Sequence, residues 1–123
     1  NHEVKKIEEV NISDYDLLII PGGVKAMEKV RQNLEIIEFI SEFHKQKKII
    51  GCICSGAQML ISAKIVQGKK ISGYYSMKDD IINAGAEYTD LPSVIDDGII
   101  TTAHYKDLGP WMKAILQEYY KQN

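Results

Sequence analysis

The hydrophobic positions of this chain fall into short apolar runs that alternate with amphipathic stretches. One run at 17–20 closes on Pro21-Gly22-Gly23, and a second at 49–53 closes on Cys54-Ser55-Gly56. Continuous apolar runs of this length, followed by turn residues, predict parallel strands that are buried on both faces. From Asn33 onward apolar residues recur at helical spacing, with charged residues opposite, which predicts an amphipathic helix. The order strand, helix, strand, turn, helix is the βαβ pattern of a parallel sheet covered by helices.

The second half of the chain carries shorter signals of the same kind. They predict a strand at 69–74, a short helix at 77–84, a weak strand at 87–89, hairpin strands at 94–95 and 99–102, and a helix at 111–120. Asp96-Asp97-Gly98 forms the turn of that hairpin, because Asp-Gly is a favoured turn pair, and Pro110 stands near the first turn of the last helix. No repeat or linker interrupts this order, so residues 1–123 are predicted to form a single domain.

Composition narrows the class of protein. The chain has 123 residues, 45% of them hydrophobic and 26% charged, with a net charge of −2, which argues against nucleic-acid binding. No apolar stretch approaches the roughly 20 residues of a membrane span, and the polar start shows no signal peptide. Cys52 and Cys54 point to opposite faces of a strand, which makes a mutual disulfide awkward. Free thiols without a signal peptide favour a cytoplasmic location.

The segment around Cys54 predicts a nucleophile elbow. In such an elbow the reactive residue stands on a sharp turn from strand to helix, and the residues two before and two after it must be small. With Cys54 as the nucleophile those residues are Cys52 and Gly56; with Cys52 one of them would be the bulky Ile50. The spacing therefore selects Cys54.

The same position gives a reason for reactivity. Unpaired backbone N–H groups and the positive end of a helix dipole stabilise a thiolate, and the N–H groups can also hold an oxyanion. The alternative is that Cys54 is only a small buried residue, and the elbow spacing favours the reactive role. A metal site on Cys-x-Cys is disfavoured, because no further cysteine exists and the three histidines are scattered.

Four segments carry a resemblance to a known family. They are Ile-Ile-Pro-Gly-Gly at 19–23, Cys-Ile-Cys-Ser-Gly-Ala-Gln at 52–58, the stretch at 72–88, and Asp-Leu-Gly-Pro-Trp-Met at 107–112. Together they resemble the ThiJ/PfpI superfamily, and within it the PfpI branch of so-called intracellular proteases. The resemblance implies an α/β fold, a flavodoxin-like three-layer sandwich with a mainly parallel central sheet, related to class I glutamine amidotransferases.

The resemblance also implies roles for individual residues. Cys54 matches the nucleophile, and the backbone N–H groups of Gly23 and Ser55 match the oxyanion hole. Glu28 resembles a carboxylate that PfpI-type oligomers present to a neighbouring subunit's site, so we expect a homo-oligomer. Tyr74 matches a tyrosine that lines the pocket. No cofactor or metal is implied.

Two departures from the family pattern bear on function. The PfpI branch usually carries histidine directly after the nucleophile, where this chain has Ser55, and a serine cannot act as a base near neutral pH. His104, which follows the hairpin, is a candidate substitute, with an exposed loop histidine as the alternative. His44, near the end of an amphipathic helix, is expected at the surface.

The second departure is at the amino terminus. The family begins with a strand and helix that precede the first residue of this chain and hold a glutamate that contacts the nucleophile's sulfur. Glu3, Glu8 and Glu9 lie in a polar lead-in and cannot replace it. We therefore expect either a fragment or a separate chain that supplies the missing strand.

These observations support two main hypotheses. The first is a cysteine-nucleophile enzyme that acts on a reactive carbonyl or acyl substrate, either glyoxalase-like or deglycase-like, or a peptidase-like hydrolase. The second is a non-catalytic oxidative-stress or redox-sensing protein that uses Cys54. An inert domain is the third. The partners expected are a small carbonyl compound or a peptide, and neither nucleic acid nor membrane.

Overall fold

A four-stranded sheet forms the centre of the computed structural model, which describes residues 11–122; Glu3, Glu8 and Glu9 lie outside the described residues. The strands are β1 (Leu17–Ile20), β2 (Ile49–Ile53), β5 (Val94–Asp96) and β6 (Ile99–Thr102), in the order β1-β2-β6-β5. β1, β2 and β6 are parallel, and β5 is antiparallel to β6. The two apolar runs before the turn motifs are therefore adjacent parallel strands, as predicted.

Helices cover both faces of this sheet. The helices are α1 (Val24–Val30), α2 (Leu34–Lys45), α3 (Ala57–Ser62), α4 (Lys78–Asn83) and α5 (Leu108–Gln122). Ile50 and Cys52 face the core with α1 to α4, whereas Ile49 and Ile53 face α5, because side chains alternate along a strand. The result is the predicted three-layer α/β sandwich.

The α5 layer lies close to the sheet at Gly51. A Cβ on Gly51 would lie 2.5 Å from Ile115 Cδ1 and 3.2 Å from a ring carbon of Trp111. The Trp111 indole N–H donates to the Ile100 carbonyl at 2.9 Å. α5 begins at Leu108, three residues before the predicted start at Trp111, with Pro110 in its first turn, where a missing N–H is tolerated.

Two short parallel strands, β3 (Lys70–Ile71) and β4 (Glu87–Tyr88), form a second sheet beside α4. The strand predicted at 69–74 is shorter than expected. After Ile71 the backbone turns to other partners: Ser72 N–H donates to Thr101 Oγ1 at 2.8 Å, and Tyr74 N–H to the Cys54 carbonyl at 3.1 Å. These two bonds direct residues 72–74 toward the end of β2.

The start of α2 and the β5–β6 turn were predicted, because helical spacing and an Asp-Gly pair are local signals. Asn33 caps α2, since its side chain accepts hydrogen bonds from the N–H groups of Glu35 and Ile36. Asp97 and Gly98 both have positive φ, as a two-residue hairpin turn requires. α1 was not predicted, because its N-cap is Gly23, which provides no side-chain cap.

The prediction that His44 lies at the surface was wrong. Its side chain is only 16% exposed, and its Nε2 lies 2.7 Å from Lys69 Nζ and 3.4 Å from Asp97 Oδ2. Burial, and then the nearby Lys69 charge, lower the pKa of His44. The helix face was judged from its own spacing, whereas the loop before β3 and the β5–β6 turn fold over its end.

Candidate active site

Cys54 stands directly after β2, at the first position of a 3-10 turn, Cys54–Gly56, that leads into α3. Its φ is +59°, in the left-handed region that non-glycine residues seldom occupy and that costs of the order of 1 kcal/mol. A strained strand-to-helix turn at this residue is the geometry that the elbow spacing predicted.

The neighbours of Cys54 explain why small residues are needed there. A Cβ on Gly56 would lie 2.8 Å from the Pro21 carbonyl oxygen, 2.9 Å from that of Ile20 and 3.1 Å from Cys52 Sγ. The turn thus packs against the end of β1 with no space for a side chain at Gly56.

The two cysteines, both free thiols, differ in environment. Cys52 is 1% exposed and lies in the core beside α1 to α4, whereas Cys54 is partly exposed and packs toward the α5 side. Burial, with a smaller contribution from Cys54, raises the pKa of Cys52 far above its usual range. Cys52 therefore stays a protonated, inaccessible thiol, and Cys54 is the cysteine that reagents can reach.

The loop between β1 and α1 lies beside Cys54, and hydroxyl groups accept hydrogen bonds from two of its N–H groups. Gly23 N–H donates to Ser55 Oγ at 2.9 Å, and Gly22 N–H donates to Tyr105 Oη at 3.1 Å. Ser55 is 2% exposed. The Gly23 N–H expected in an oxyanion hole is thus already paired with the side chain of the residue after Cys54.

Tyr74 and His104 lie at the same end of the sheet. Tyr74 N–H donates to the Cys54 carbonyl, and the Tyr74 ring centroid is 6.4 Å from that of His104. His104 Nδ1 accepts from Lys106 N–H at 3.1 Å, so the neutral ring carries its proton on Nε2. Within residues 11–122 no hydrogen bond joins His104 to Cys54.

Glu28 lies on the exposed side of α1, a helix that packs against the 54–56 turn and against α3. In the part of the chain that the structure describes, its carboxylate makes no hydrogen bond to Cys54. That exposed position leaves Glu28 accessible to a neighbouring molecule.

Tyr105 is the residue of this site that the sequence reasoning missed. It is the third residue after the end of a central parallel strand, β6, and loops at the carboxyl ends of parallel strands are where α/β proteins place their sites. That position was a usable signal, but its hydrogen bond joins residues 83 apart in sequence.

Neither a metal-binding cluster nor a membrane-spanning helix occurs in the residues that the structure describes. Within 11–122, no three side chains of His, Cys, Asp or Glu come together in a way that could hold a metal ion. None of the helices described is both long and apolar enough to span a membrane.

A cysteine on a strained turn between a central parallel strand and a helix, beside a Pro-Gly-Gly loop, defines an α/β protein with a nucleophile elbow. Residues 3–118 match the model of the DJ-1/PfpI family. The chain belongs to this family, which confirms the resemblance noted in the sequence.

Individual relatives agree with this assignment. Deglycase PfpI of Pyrococcus furiosus is 37% identical over 110 residues, which cover 89% of this chain and 66% of that protein. General stress protein 18 of Bacillus subtilis is 38% identical over 101 residues, covering 82% of this chain and 58% of that protein. The chain therefore spans less than two thirds of the length of either relative.

A solved structure supports the fold. A two-domain protein of Anabaena variabilis, which contains DJ-1/ThiJ/PfpI-like and ferritin-like domains, matches with a TM-score of 0.87 and 35% identity. The match covers 91% of this chain and 32% of that one.

Proposed function

We propose that this chain is a cysteine-dependent enzyme of the DJ-1/PfpI type that acts on a small reactive carbonyl compound, with Cys54 as its nucleophile. The observation that carries the proposal is the strained, partly exposed Cys54 at the start of the turn into α3. Strain at a reactive position is typical of sites where the chain holds a group in a fixed orientation. The P. furiosus relative, named a deglycase, supports carbonyl chemistry.

The groups around Cys54 favour addition to an aldehyde over hydrolysis of a peptide bond. A peptidase must protonate an amine leaving group, usually with a histidine paired to the nucleophile. Ser55 stands in the family's histidine position, and the Nδ1 lone pair of His104 is held by Lys106 N–H. Addition of a thiolate to an aldehyde expels no leaving group and needs only a stabilised oxygen.

Glu28 is the proposed proton carrier for later steps, acting on the site of a neighbouring copy in a homo-oligomer. Its exposed position on α1 supports this role. Tyr74 is proposed to line the pocket, since its backbone is bonded to Cys54 and its ring stands beside His104.

The edge of the sheet supports the expectation of an added strand. Among the described residues β1 pairs on one side only, with β2, and Ile19 on it is 41% exposed. An apolar groove beside this edge is lined by Leu18, Ile20, Met27, Val30, Ile36 and Phe39. An unpaired, apolar edge is suited to pairing with a further strand.

The second candidate is a stress protein in which Cys54 is oxidised without turnover. The name of the B. subtilis relative, general stress protein 18, favours it. A thiol that is accessible on a turn is open to oxidation to a sulfenic or sulfinic acid.

One experiment separates these two functions. The chain, Cys54→Ala and Cys52→Ala are each incubated with methylglyoxal, and its consumption is followed by NMR. We expect turnover in the wild type and Cys52→Ala, and none in Cys54→Ala. No consumption by the wild type, together with stoichiometric oxidation of Cys54 by peroxide, would replace the enzyme proposal with the redox one.

A further inference from the structure

The Tyr105 hydroxyl and the Cys54 side chain both lie beside Gly22. A Cβ on Gly22 would lie 2.7 Å from Cys54 Cβ and 3.1 Å from Tyr105 Oη. The phenol oxygen and the first side-chain atom of Cys54 therefore both lie on the side of Gly22 where a Cβ would stand, although the two residues lie on different loops.

The hydrogen bond from Gly22 leaves the hydroxyl proton of Tyr105 free to donate. Gly22 N–H donates to Tyr105 Oη at 3.1 Å, which occupies one lone pair of the oxygen. Over residues 11–122 the Tyr105 hydroxyl donates to no acceptor, so its proton is available to a bound molecule. The Tyr105 side chain is half exposed, so a small molecule in solvent can reach it.

His104 holds Tyr105 in place. Tyr105 begins a 3-10 turn, Tyr105–Asp107, and the His104 side chain caps this turn by accepting from Lys106 N–H. The start of the turn is thereby fixed twice, by the cap and by the bond from Gly22 to Tyr105. A donor that is held in advance can stabilise a developing charge without reorganisation.

We infer that Tyr105 is a catalytic hydrogen-bond donor to the oxygen of a carbonyl substrate attacked by Cys54. This inference rests on the proposed function. The substrate class is a small, unhindered aldehyde, because the carbonyl oxygen must fit between the Cys54 side chain and the Tyr105 hydroxyl.

The addition step joins the Cys54 sulfur to the carbonyl carbon of the substrate. The Cys54 thiolate donates its electron pair to the carbonyl carbon, a C–S bond forms, and the C=O π pair moves onto oxygen. Tyr105 O–H donates to that oxygen while Gly22 N–H holds the phenol. Water then protonates the oxygen to give a hemithioacetal and is left as hydroxide, which takes up the proton that the thiol lost to solvent when it ionised, so no net proton is released.

Tyr105 also supplies a free hydrogen-bond donor, which the Gly23 N–H does not. That N–H is paired with Ser55 Oγ at 2.9 Å, so one of the two donors that the family resemblance implies is engaged before a substrate binds. The Tyr105 hydroxyl, which accepts from the neighbouring Gly22 N–H, is a donor that has no acceptor among the described residues.

Tyr105→Phe tests the inference because it removes only the hydroxyl. Tyr75→Phe is the matched control, since Tyr75 is an exposed tyrosine beside Tyr74 at the same end of the sheet, with ring centroids 5.7 Å apart. We expect kcat for methylglyoxal to fall about 100-fold in Tyr105→Phe, as for removal of one oxyanion donor, with KM little changed. Tyr75→Phe keeps the wild-type kcat. An unchanged kcat in Tyr105→Phe overturns the inference and leaves the proposed function intact.

Two further readouts separate the possible failures. Alkylation of Cys54 by iodoacetamide forms no oxyanion, so its rate stays at the wild-type value in Tyr105→Phe. If the wild type shows no turnover, the proposed function fails. The rate at which methylglyoxal adds to Cys54, followed by mass spectrometry, then tests the role of Tyr105 as a donor. Addition at least tenfold slower in Tyr105→Phe supports it, and an equal rate overturns it.

A second variant covers the case in which Tyr105→Phe disturbs the site and changes the alkylation rate. O-Methyltyrosine in place of Tyr105 keeps the ring and the oxygen that accepts from Gly22 N–H but has no O–H to donate. Addition of methylglyoxal to Cys54 is then expected to be at least tenfold slower than in the wild type. An unchanged rate of addition contradicts a role for the hydroxyl.

Discussion

Ser55 joins the elbow to the loop after β1 through one side-chain hydrogen bond. Its hydroxyl is buried and accepts from Gly23 N–H at 2.9 Å. In this position the side chain acts as a spacer that holds the loop beside Cys54, a different role from the base that the PfpI branch usually carries there. The consequence is structural and can be measured without a substrate.

Ser55→Ala is expected to lower the free energy of unfolding by about 1 kcal/mol, the usual net contribution of a hydrogen bond of this kind. Urea denaturation measures the change. Ser76→Ala, at an exposed position in the turn Tyr75–Met77, is the control and is expected to change stability by less than about 0.5 kcal/mol. Equal effects of the two substitutions contradict the role given to Ser55.

Single residues also show which parts of the site could be predicted from the sequence. Cys54 was identifiable because the need for small neighbours is a local steric rule, and the structure has those neighbours in contact. Tyr105 and the Ser55–Gly23 bond were not identifiable, because they depend on loops that meet only after folding. His44 was misplaced for the same reason.

At the scale of elements, the β2–α3 turn depends on the absence of a side chain at Gly56. Its φ is not positive, so the requirement is steric and comes from the carbonyl oxygens of Ile20 and Pro21. These are backbone atoms of β1 and of the loop after it, and they cannot move without disturbing the sheet.

Gly56→Ala is therefore expected to destabilise the protein by about 2 kcal/mol or more, as for an overpacked core position. Gly109→Ala in α5 is the matched control. A Cβ there meets nothing within 4 Å, and alanine favours helix over glycine, so stability stays the same or rises slightly. Thermal melts of both variants measure the two changes in stability. A Gly56→Ala protein as stable as the wild type would contradict the steric requirement at Gly56.

Elements with strong local signals were predicted well from the sequence. The strands β1, β2 and β6, the start of α2 and the Asp97-Gly98 turn follow from apolar runs, helical spacing and turn chemistry. α1 was missed because it lacks a capping side chain, and β3 is shortened because backbone groups after it bond to Thr101 and Cys54. Tertiary hydrogen bonds overrode the local preference in that segment.

At the scale of the whole molecule, His44 connects three parts of the fold. It lies in the last turn of α2, and it contacts Lys69 before β3 and Asp97 in the β5–β6 turn. Burial and the charges of Lys69 and Lys47 lower its pKa, and Asp97 only partly opposes them. The unfolded chain therefore binds a proton at His44 more readily than the folded chain does.

Stability should accordingly fall as the pH drops below 6.5, the ordinary histidine value, and be fully present above it. Urea unfolding of the wild type at pH values between about 7.5 and 5 follows this loss, over the range where unfolded histidine titrates. His44→Gln keeps a hydrogen-bond acceptor for Lys69 but does not titrate, so its stability depends less on pH over the same range. An identical pH dependence in both proteins contradicts the role of His44.

The central claim is that the fold makes one of two neighbouring cysteines reactive, and alkylation tests it most directly. The native chain is treated with iodoacetamide, and labelled peptides are mapped by mass spectrometry against Cys54→Ala. We predict a single label on Cys54, with Cys52 labelled only after denaturation. Labelling of Cys52 in the native chain, or no labelling of Cys54, would contradict the elbow as the active site.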